Sequence, residues 1–515
     1  MPVVLLHQSP YSSAEFIPLI RELAEDYLVI APDTPGNGLS DPLPGPLEQS
    51  EIREYADALA EFLDILGFGQ VALYGFHTGA LSALEFARRY PARVITVVVN
   101  GFVALPEALC KDIIRDFFAT VEPDWTGAHL HWWWMRLREQ YHFFPWFRKE
   151  AACRTAFDMP DALHLHEVMM EVMRAGNGYR RPYRAAFSYD ALTAVKEVAA
   201  PAVVMTDKTD LLYPCLDLIE DAAPGVRIER PDDPEAARRL LKEALADCRG
   251  PAASVDPQPA APKPGAIWRD YVQTSAGSML VRRNHDGDGR PVLLIPDALR
   301  SGASVEPVMQ ALLGRRPVLA FDLPGTGESD GWTGQGDAID LQAALVAEAL
   351  AVLGVDAVDV VAFGWGENVA RRLLAQAPGL VSRILVDPAP VAGDPEAPAA
   401  PLDRWAPEIA IDPLGAHFTF AWNMVRDHEL YAPWFRREAA HAIHDREPEV
   451  DAETVHHRTV DLFLCLPNYR EIVSAHLAHE ASTADSPRAA TITRAAGEPD
   501  TVAEQVVAWL EENNN

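Results

Sequence analysis

Short apolar runs alternate with longer segments of helical period along the first half of the chain. The helical segments include Glu51–Leu66 and Ala80–Arg89, whose apolar positions recur at the spacing of one helix face. The apolar runs predict five buried strands, at Val3–Leu6, Tyr27–Ala31, Val71–Tyr74, Val94–Val99 and Ala202–Thr206. Continuous Val, Ile and Leu runs that alternate with helices predict an α/β fold with a mostly parallel sheet flanked by helices.

The stretch from about 105 to 195 departs from this alternation. It is rich in aromatic residues, has helical character and carries no strand signal. A helical insertion after a central strand is expected to cap the carboxyl-terminal edge of the sheet, where open α/β sheets bind ligands.

The second half repeats the first. Three segments recur in the same order: DTPGNGLSD (33–41) as DLPGTGESD (322–330), VALYGFHTGALSALEFARR (71–89) as VDVVAFGWGENVARRLLAQ (358–376), and PWFRKEAA (145–152) as PWFRREAA (433–440). In the third pair, seven of the eight residues are identical. Such a pattern predicts duplication and fusion of one fold.

Residues 250–265 are rich in Pro and Ala and have no hydrophobic period, which predicts a linker. The linker separates two expected domains, 1–249 and 266–515, which we expect to pack against each other. The second domain opens with a predicted hairpin, Trp268–Val272 and Met279–Arg283, that the first domain lacks.

The length and net charge of the chain limit the number of domains and the kinds of partner that we expect. The chain has 515 residues, 49% of them hydrophobic, which suits two domains of about 250 residues. A formal net charge of −31 repels nucleic-acid backbones and anionic membranes, so neither is an expected partner. A small-molecule ligand is expected instead.

Cysteine and histidine spacing argues against metal and disulfide chemistry. The five cysteines include no CxxC pair, and His441 and His444 have no third ligand nearby in sequence, so no metal site is expected. The Gly-rich segment 36–38 lacks a phosphate-binding lysine, so no cofactor is expected either. Without a leader sequence or an apolar run near 18 residues, a cytoplasmic protein is expected.

The order of motifs resembles the α/β-hydrolase superfamily with its helical cap, twice over nearly the whole chain. The motifs are a strand ending at His7-Gln8, the loop 33–41, the elbow Gly75–Gly79 and the late strand before Asp207–Asp210. The resemblance implies a Gly-x-Ser-x-Gly elbow that projects a nucleophile beside an oxyanion-binding loop.

Both elbows lack the serine. His77 stands at the nucleophile position of the first elbow, and Gly366 is aligned with that position in the second, Gly364–Asn368. Asp210 matches the family's acid, but no histidine follows the last predicted strand of either half, and the second half shows no strand for an acid. The resemblance therefore implies that a Ser-His-Asp mechanism is not available.

The candidate site centres on His77. Its imidazole could act as a general base or electrophilic donor, or could simply fill a degenerate pocket. Asp210 could orient a pocket group or cap a loop. Phe76 and Thr78 flank His77 in the elbow, and His7 and Gln8 are expected to form the oxyanion loop.

The expected cap carries a second candidate group, His129, Trp134 and Arg138, which recur in the second half. Aromatic residues at this density often pack a core. Alternatively, these residues bind substrate, with Arg138 gripping a carboxylate through two hydrogen bonds.

Three functions remain open. The first is an α/β-hydrolase-type enzyme that cleaves a small ester, lactone or β-dicarbonyl compound with the help of His77, its second domain being a pseudo-domain. The second is a non-catalytic protein that binds a small ligand or acts as a scaffold. The third is a cofactor-free lyase or oxygenase on the same fold.

Overall fold

The computed structural model describes residues 1–252, 264–284, 286–332, 336–389, 400–480, 489–492 and 502–512. Most of the predicted linker 250–265 lies outside the described residues. The chain forms two compact units: Met1–Glu122 with Trp132–Ala260, and Pro123–His131 with Ala261–Asn515.

A six-stranded, wholly parallel sheet forms the first unit. Its strands are β1 (Pro2–Leu6), β2 (Leu28–Ile30), β3 (Val71–Phe76), β4 (Val94–Asn100), β5 (Ala202–Met205) and β6 (Val226–Glu229). They lie in the order β2-β1-β3-β4-β5-β6. All five strands predicted for this half are confirmed.

Nine helices connect and follow these strands in the described residues. They are α1 (Ile17–Leu23), α2 (Ile52–Ile65), α3 (Thr78–Arg89), α4 (Glu107–Asp116), α5 (Ala128–His142), α6 (Ala162–Ala175), α7 (Arg180–Phe187), α8 (Ala191–Glu197) and α9 (Pro234–Ala246). Helices α4 to α8 form the predicted helical insertion between β4 and β5, whose described residues contain no strand beyond an isolated bridge of Phe143 with Arg154.

The first sheet is buried on both faces. Leu73 on one face packs in the core cluster that includes residues of α2, α3 and α8. Tyr74 on the opposite face belongs to the cluster formed with α1 and α9. Burial on both sides explains the unbroken apolar runs that identified the strands.

The second unit contains a seven-stranded sheet. Its strands are β7 (Trp268–Thr274), β8 (Gly277–Arg283), β9 (Val292–Ile295), β10 (Val318–Phe321), β11 (Val358–Phe363), β12 (Val381–Asp387) and β13 (Ala489–Thr491), in the order β13-β12-β11-β9-β10-β8-β7. The predicted hairpin is β7-β8, which pairs antiparallel, and β8 also runs antiparallel to β10. The remaining pairs are parallel.

Eight helices accompany this sheet in the described part of the chain. They are α10 (Glu306–Leu312), α11 (Ala338–Val352), α12 (Gly366–Gln376), α13 (Leu402–Trp405), α14 (Ala416–His428), α15 (Ala452–Leu464), α16 (Tyr469–Glu480) and α17 (Val502–Glu512). No helix among the described residues is long and apolar enough to cross a membrane.

Strand β13 corrects one expectation. It lies beside β12, as β5 lies beside β4, so the strand position expected to be missing in the second half is filled. Its three residues are too few to show a hydrophobic period, because a strand needs about four to eight residues to be recognised from sequence.

An ionic cluster surrounds Asp359 near the start of β11. The Asp359 carboxylate accepts hydrogen bonds from Arg290 at 3.1 Å, Arg316 at 2.9 Å and Arg383 at 3.0 Å. Its side chain is only 1% exposed, so these guanidinium groups compensate a carboxylate that is cut off from water.

Candidate active site

The turn between β3 and α3 forms a strained elbow at His77. The backbone of His77 has φ +48° and ψ −109°, and no other described non-glycine residue has a positive φ. Such a conformation persists only where the surroundings impose it. A Cβ on Gly75 would overlap the Gly79 carbonyl oxygen, and one on Gly79 would overlap that of Leu6. Both elbow glycines are therefore required by close backbone approach.

The His77 side chain pairs with the carboxylate of Asp210. His77 Nε2 lies 2.7 Å from Asp210 Oδ2. Because a carboxylate can only accept, Nε2 carries the proton, and Nδ1 has no hydrogen-bond partner among the described residues. Asp210 Oδ1 accepts from the Leu212 N–H at 2.8 Å, so Asp210 both orients the imidazole and caps its own loop after β5.

In the His77–Asp210 dyad, the charge of the partner and the hydrogen bond together affect each pKa more than burial does. Burial alone would lower the pKa of His77, but the charge of Asp210 and the hydrogen bond to it raise that pKa above its usual value. Burial would raise the pKa of Asp210, yet the charge of His77 and its hydrogen bond hold it below the usual value. The His77 side chain remains 28% exposed, so water can reach it.

The imidazole of His77 lies between Phe76 and Gly101. The Phe76 ring stacks on it, with centroids 4.2 Å apart and an interplanar angle of 29°. Gly101, directly after β4, has φ +77°, and a Cβ there would overlap His77 Cδ2. Sequence reasoning missed Gly101. A glycine directly after a central strand, here after Asn100, is a signal that another part of the protein approaches the backbone closely.

His7 holds together the loops that follow β1 and β2. It is buried, its Nδ1 donates to the Gln8 carbonyl at 2.8 Å, and its Nε2 accepts from the Thr34 N–H at 2.8 Å. Burial also lowers the pKa of His7. Both ring nitrogens of His7 are therefore engaged within the protein, and its part in an oxyanion loop stays a prediction.

Thr78 ties the same loop to the elbow. Its Oγ1 accepts from the Ser9 N–H at 2.6 Å and donates to Ser9 Oγ at 3.3 Å. The Thr78 side chain is therefore committed to the protein, and only its backbone is in a position typical of an oxyanion donor.

Glu15 is a site residue that sequence reasoning missed. Its Oε1 accepts from Gln8 Nε2 at 2.6 Å, and its Oε2 accepts from the Gln8 backbone N–H at 3.2 Å. Burial raises the pKa of Glu15 to about 7, although the hydrogen bonds from Gln8 and the nearby charge of His77 lower it. Its only sequence signal is an acidic residue in the short segment between Gln8 and α1.

The three candidates of the insertion differ in their surroundings. His129 belongs to the second unit, where its Nδ1 accepts from the Asp124 N–H at 3.1 Å and its Nε2 lies 3.0 Å from His456 Nδ1. Burial lowers the pKa of His129 to about 4. Trp134 is fully buried in the core and Arg138 is partly buried. The hydrogen bonds of His129 and the burial of Trp134 favour the packing interpretation of these two residues, and their role in substrate binding stays a prediction.

The second elbow corrects the alignment made from sequence. Gly364, not Gly366, stands at the nucleophile position: it has φ +53°, and its N–H donates to the Asp387 carbonyl at 2.8 Å. His77 donates to Asn100 in the same way at 2.9 Å. This register agrees with the repeat of 71–89 as 358–376, whereas the choice of Gly364–Asn368 as the second elbow had shifted the nucleophile position by two residues.

A carboxylate of the second unit occupies its own elbow. Asp297 Oδ1 accepts from the Ala298 N–H at 2.8 Å and from the Trp365 N–H at 2.7 Å. A Cβ on Gly364 would overlap the same carboxylate. In this fold the residue after the nucleophile supplies an oxyanion donor, and here the corresponding Trp365 N–H already donates to Asp297.

No group of three or more His, Cys, Asp or Glu side chains is arranged to hold a metal ion within the described ranges. The candidate chemistry consists of the His77–Asp210 dyad and the groups around it.

Comparison with known proteins agrees with this fold. The family model described as "alpha/beta hydrolase fold" matches residues 1–161 and 290–418, which is more than half of the chain. The protein therefore belongs to the α/β hydrolase fold family, with one matched region in each half.

Curated relatives include several hydrolases. The chain is 32% identical over 113 residues to the 2-(acetamidomethylene)succinate hydrolase of Mesorhizobium japonicum, covering 22% of this chain and 40% of that protein. It is 31% identical over 135 residues to a soluble epoxide hydrolase of a Corynebacterium species, covering 25% and 46%. The chain thus spans less than half the length of these relatives.

Two hydrolases are examples of solved structures to which this chain is similar. The enol-lactonase from Burkholderia xenovorans is 17% identical with a TM-score of 0.36, and the match covers 48% of this chain and 90% of that one. Epoxide hydrolase A from Mycobacterium thermoresistibile is 21% identical with a TM-score of 0.35, covering 48% and 92%.

Proposed function

We propose that the first unit is a hydrolytic enzyme that cleaves a small ester, lactone or β-dicarbonyl compound, with His77 as general base and Asp210 as its orienting partner. The observation that carries the proposal is the 2.7 Å contact between His77 Nε2 and Asp210 Oδ2 at the tip of a strained elbow. Strain of this kind clusters at functional sites.

The chemistry follows from the free nitrogen of the imidazole. His77 Nδ1 takes a proton from water, and the resulting hydroxide attacks the substrate carbonyl. Asp210 stabilises the imidazolium that forms, as a buried carboxylate does for a catalytic histidine. In this proposal the Thr78 backbone N–H binds the oxyanion, and the Gln8 N–H joins it only when it releases Glu15, which the Gln8 side-chain amide continues to hold.

The second unit is proposed to be a pseudo-domain. Gly364 offers no side chain at the nucleophile position, and the Asp297 carboxylate engages the Trp365 N–H that would otherwise serve an oxyanion. The membership of both halves in one hydrolase family supports a common fold, while these two features argue against chemistry in the second half.

A ligand-binding protein without turnover is the second candidate. It is favoured by one observation: the Gln8 N–H already donates to Glu15, so a substrate oxyanion would have to compete for that donor.

The test is turnover of a panel of aryl esters, lactones, β-diketones and meta-cleavage-type dienones. We expect the full chain to turn over at least one member, and both His77→Ala and His77→Asn to lower kcat/KM at least about 100-fold. The Asn variant tolerates a positive φ, which separates loss of the base from loss of the turn.

His131→Ala is the matched control, since His131 is an exposed histidine of α5. Activity that survives both His77 variants would remove His77 as the catalytic group. Tight binding of a panel member with no turnover would establish the binding protein instead.

A further inference from the structure

A second carboxyl group lies beside the elbow of the first unit and has no part in the water activation described above. We propose that Glu15 is the general acid of this site and protonates the leaving-group oxygen of the substrate. This inference rests on the proposed function of His77.

The position of Glu15 follows from the loop that holds it. His7 and Ser9, the neighbours of Gln8, both touch the elbow: the Ser9 N–H donates to Thr78 Oγ1 at 2.6 Å, and a Cβ on Gly79 would lie 2.6 Å from the His7 carbonyl oxygen. Gln8 is therefore fixed against the elbow.

Gln8 in turn fixes the carboxyl group. Its side-chain amide reaches one oxygen of Glu15 at 2.6 Å, and its backbone N–H reaches the other at 3.2 Å. Two donors from one residue set the plane of the carboxyl group. The charge of His77 lowers the pKa of Glu15 and the charge of Glu15 raises that of His77, so the two groups interact electrostatically.

Burial explains why Glu15 can hold a proton near neutral pH. Burial is the largest influence and raises the pKa of Glu15 to about 7, and the charge of Glu171 raises it further, whereas Gln8 and His77 lower it. The charge of Glu15 also raises the pKa of the Tyr11 and Tyr74 phenols. A carboxyl group with a pKa near the working pH is suited to general acid catalysis.

The proton balance closes with these two residues. His77 Nδ1 removes one proton from water, the hydroxide adds to the carbonyl carbon, and a tetrahedral oxyanion forms. When the bond from that carbon to the leaving oxygen breaks, Glu15 donates its proton to the oxygen. The imidazolium of His77 then returns a proton to the Glu15 carboxylate through water, and the net reaction adds one water to the ester.

The experiment compares two esters of one acid, a 4-nitrophenyl ester and an ethyl ester, on the full chain and on Glu15→Gln. A poor leaving group needs protonation and a good one does not. We expect Glu15→Gln to lower kcat/KM about 100-fold for the ethyl ester and less than about 3-fold for the nitrophenyl ester. The loss of ethyl-ester activity above about pH 7 in the parent protein should disappear in the variant.

Other outcomes overturn the assignment. Equal losses on both esters would mean that Glu15 only positions Gln8, and equal gains would mean that Glu15 blocks the Gln8 donor. Glu48→Gln, an exposed acid of the same unit, is the control, and unfolding midpoints of all variants report on folding.

A second measurement does not depend on turnover. Carbon-13 NMR of glutamate carboxyl groups, assigned with Glu15→Gln, should show Glu15 titrating near neutral pH in the full chain. A Glu15 that titrates like an exposed glutamate, at about 4.3, would overturn the acid role. Absence of turnover in the parent protein would instead sink the proposed function itself, so the two failures are distinguishable.

Discussion

His77 Nε2 and Asp210 Oδ2 lie 2.7 Å apart, although His77 directly follows the central strand β3 and Asp210 lies in the loop after β5. In the usual triad of this fold a separate histidine stands between the nucleophile and the acid. Here the imidazole itself stands at the nucleophile position and reaches the acid directly. Asp210 therefore orients the imidazole at the elbow without an intervening residue.

Asp210→Asn should change the pH dependence of kcat/KM for the reaction proposed for the first unit. The amide keeps the shape of the side chain but removes the charge that raises the pKa of His77, so burial becomes the dominant influence and that pKa falls. Because a base must be unprotonated, activity appears as pH rises through this pKa.

We expect the acid limb of kcat/KM to lie above about pH 6.5 in the parent and below it in Asp210→Asn. The maximal rate should also fall at least about 100-fold, since the tautomer is no longer imposed. Asp158→Asn, an exposed substitution, serves as the control. An acid limb that does not move would show that a group other than His77 is titrating.

Gly101→Ala should damage the site by displacing the imidazole. The new methyl group overlaps His77 Cδ2, and a displacement of about 1 Å can lower a rate about 100-fold. The left-handed backbone, at φ +77°, adds a destabilisation of about 1–2 kcal/mol.

Gly67→Ala separates these two effects. Gly67 has φ +75°, and a Cβ there would meet nothing within 4 Å. Both variants should lower the free energy of unfolding, but only Gly101→Ala should lower kcat. Equal activity of the two variants would contradict the position assigned to the imidazole.

Asp297→Ala should affect stability without affecting turnover. The substitution removes the acceptor of the Ala298 and Trp365 N–H groups, and a buried donor without a partner costs about 1–3 kcal/mol. Denaturant unfolding measures this loss. A fall in kcat of more than about 10-fold in a folded Asp297→Ala protein would mean that the second unit takes part in catalysis.

Asp359→Asn should destabilise the second unit by about 3–5 kcal/mol at neutral pH, because it removes a buried charge from three guanidinium partners. Asp356→Asn, an exposed neighbour on the same segment, should have little effect. The free energy of unfolding from urea titrations measures both.

The destabilisation should shrink in acid. Burial would raise the pKa of Asp359, but Arg383, Arg316 and Arg290 hold it below the usual value. A depressed pKa stabilises the folded state fully above the unfolded value of about 3.9, and this contribution is lost as pH falls through the folded pKa. A difference between parent and variant that persists well below that range would contradict the ionic account.

Some of the architecture could be predicted from local patterns. The strands of the first sheet and the β7-β8 hairpin were found because each has a hydrophobic period or a buried apolar run of sufficient length. Strand β13 was missed because three residues carry no period. The second elbow was misaligned because two nearby glycines, Gly364 and Gly366, are equivalent in sequence but differ in backbone conformation.

The candidate site likewise combines features that the sequence predicts with features that only the structure shows. The sequence by itself determined the residue types at the elbow: a histidine between two glycines, and an acid in the loop after a late strand. Only the tertiary structure decided that His77 and Asp210 meet, that His7 is engaged on both nitrogens, and that Glu15 lies on Gln8. The physical reason is that hydrogen bonds form between atoms a few ångströms apart, and residues distant along the chain reach that separation only when the strands pair in one register.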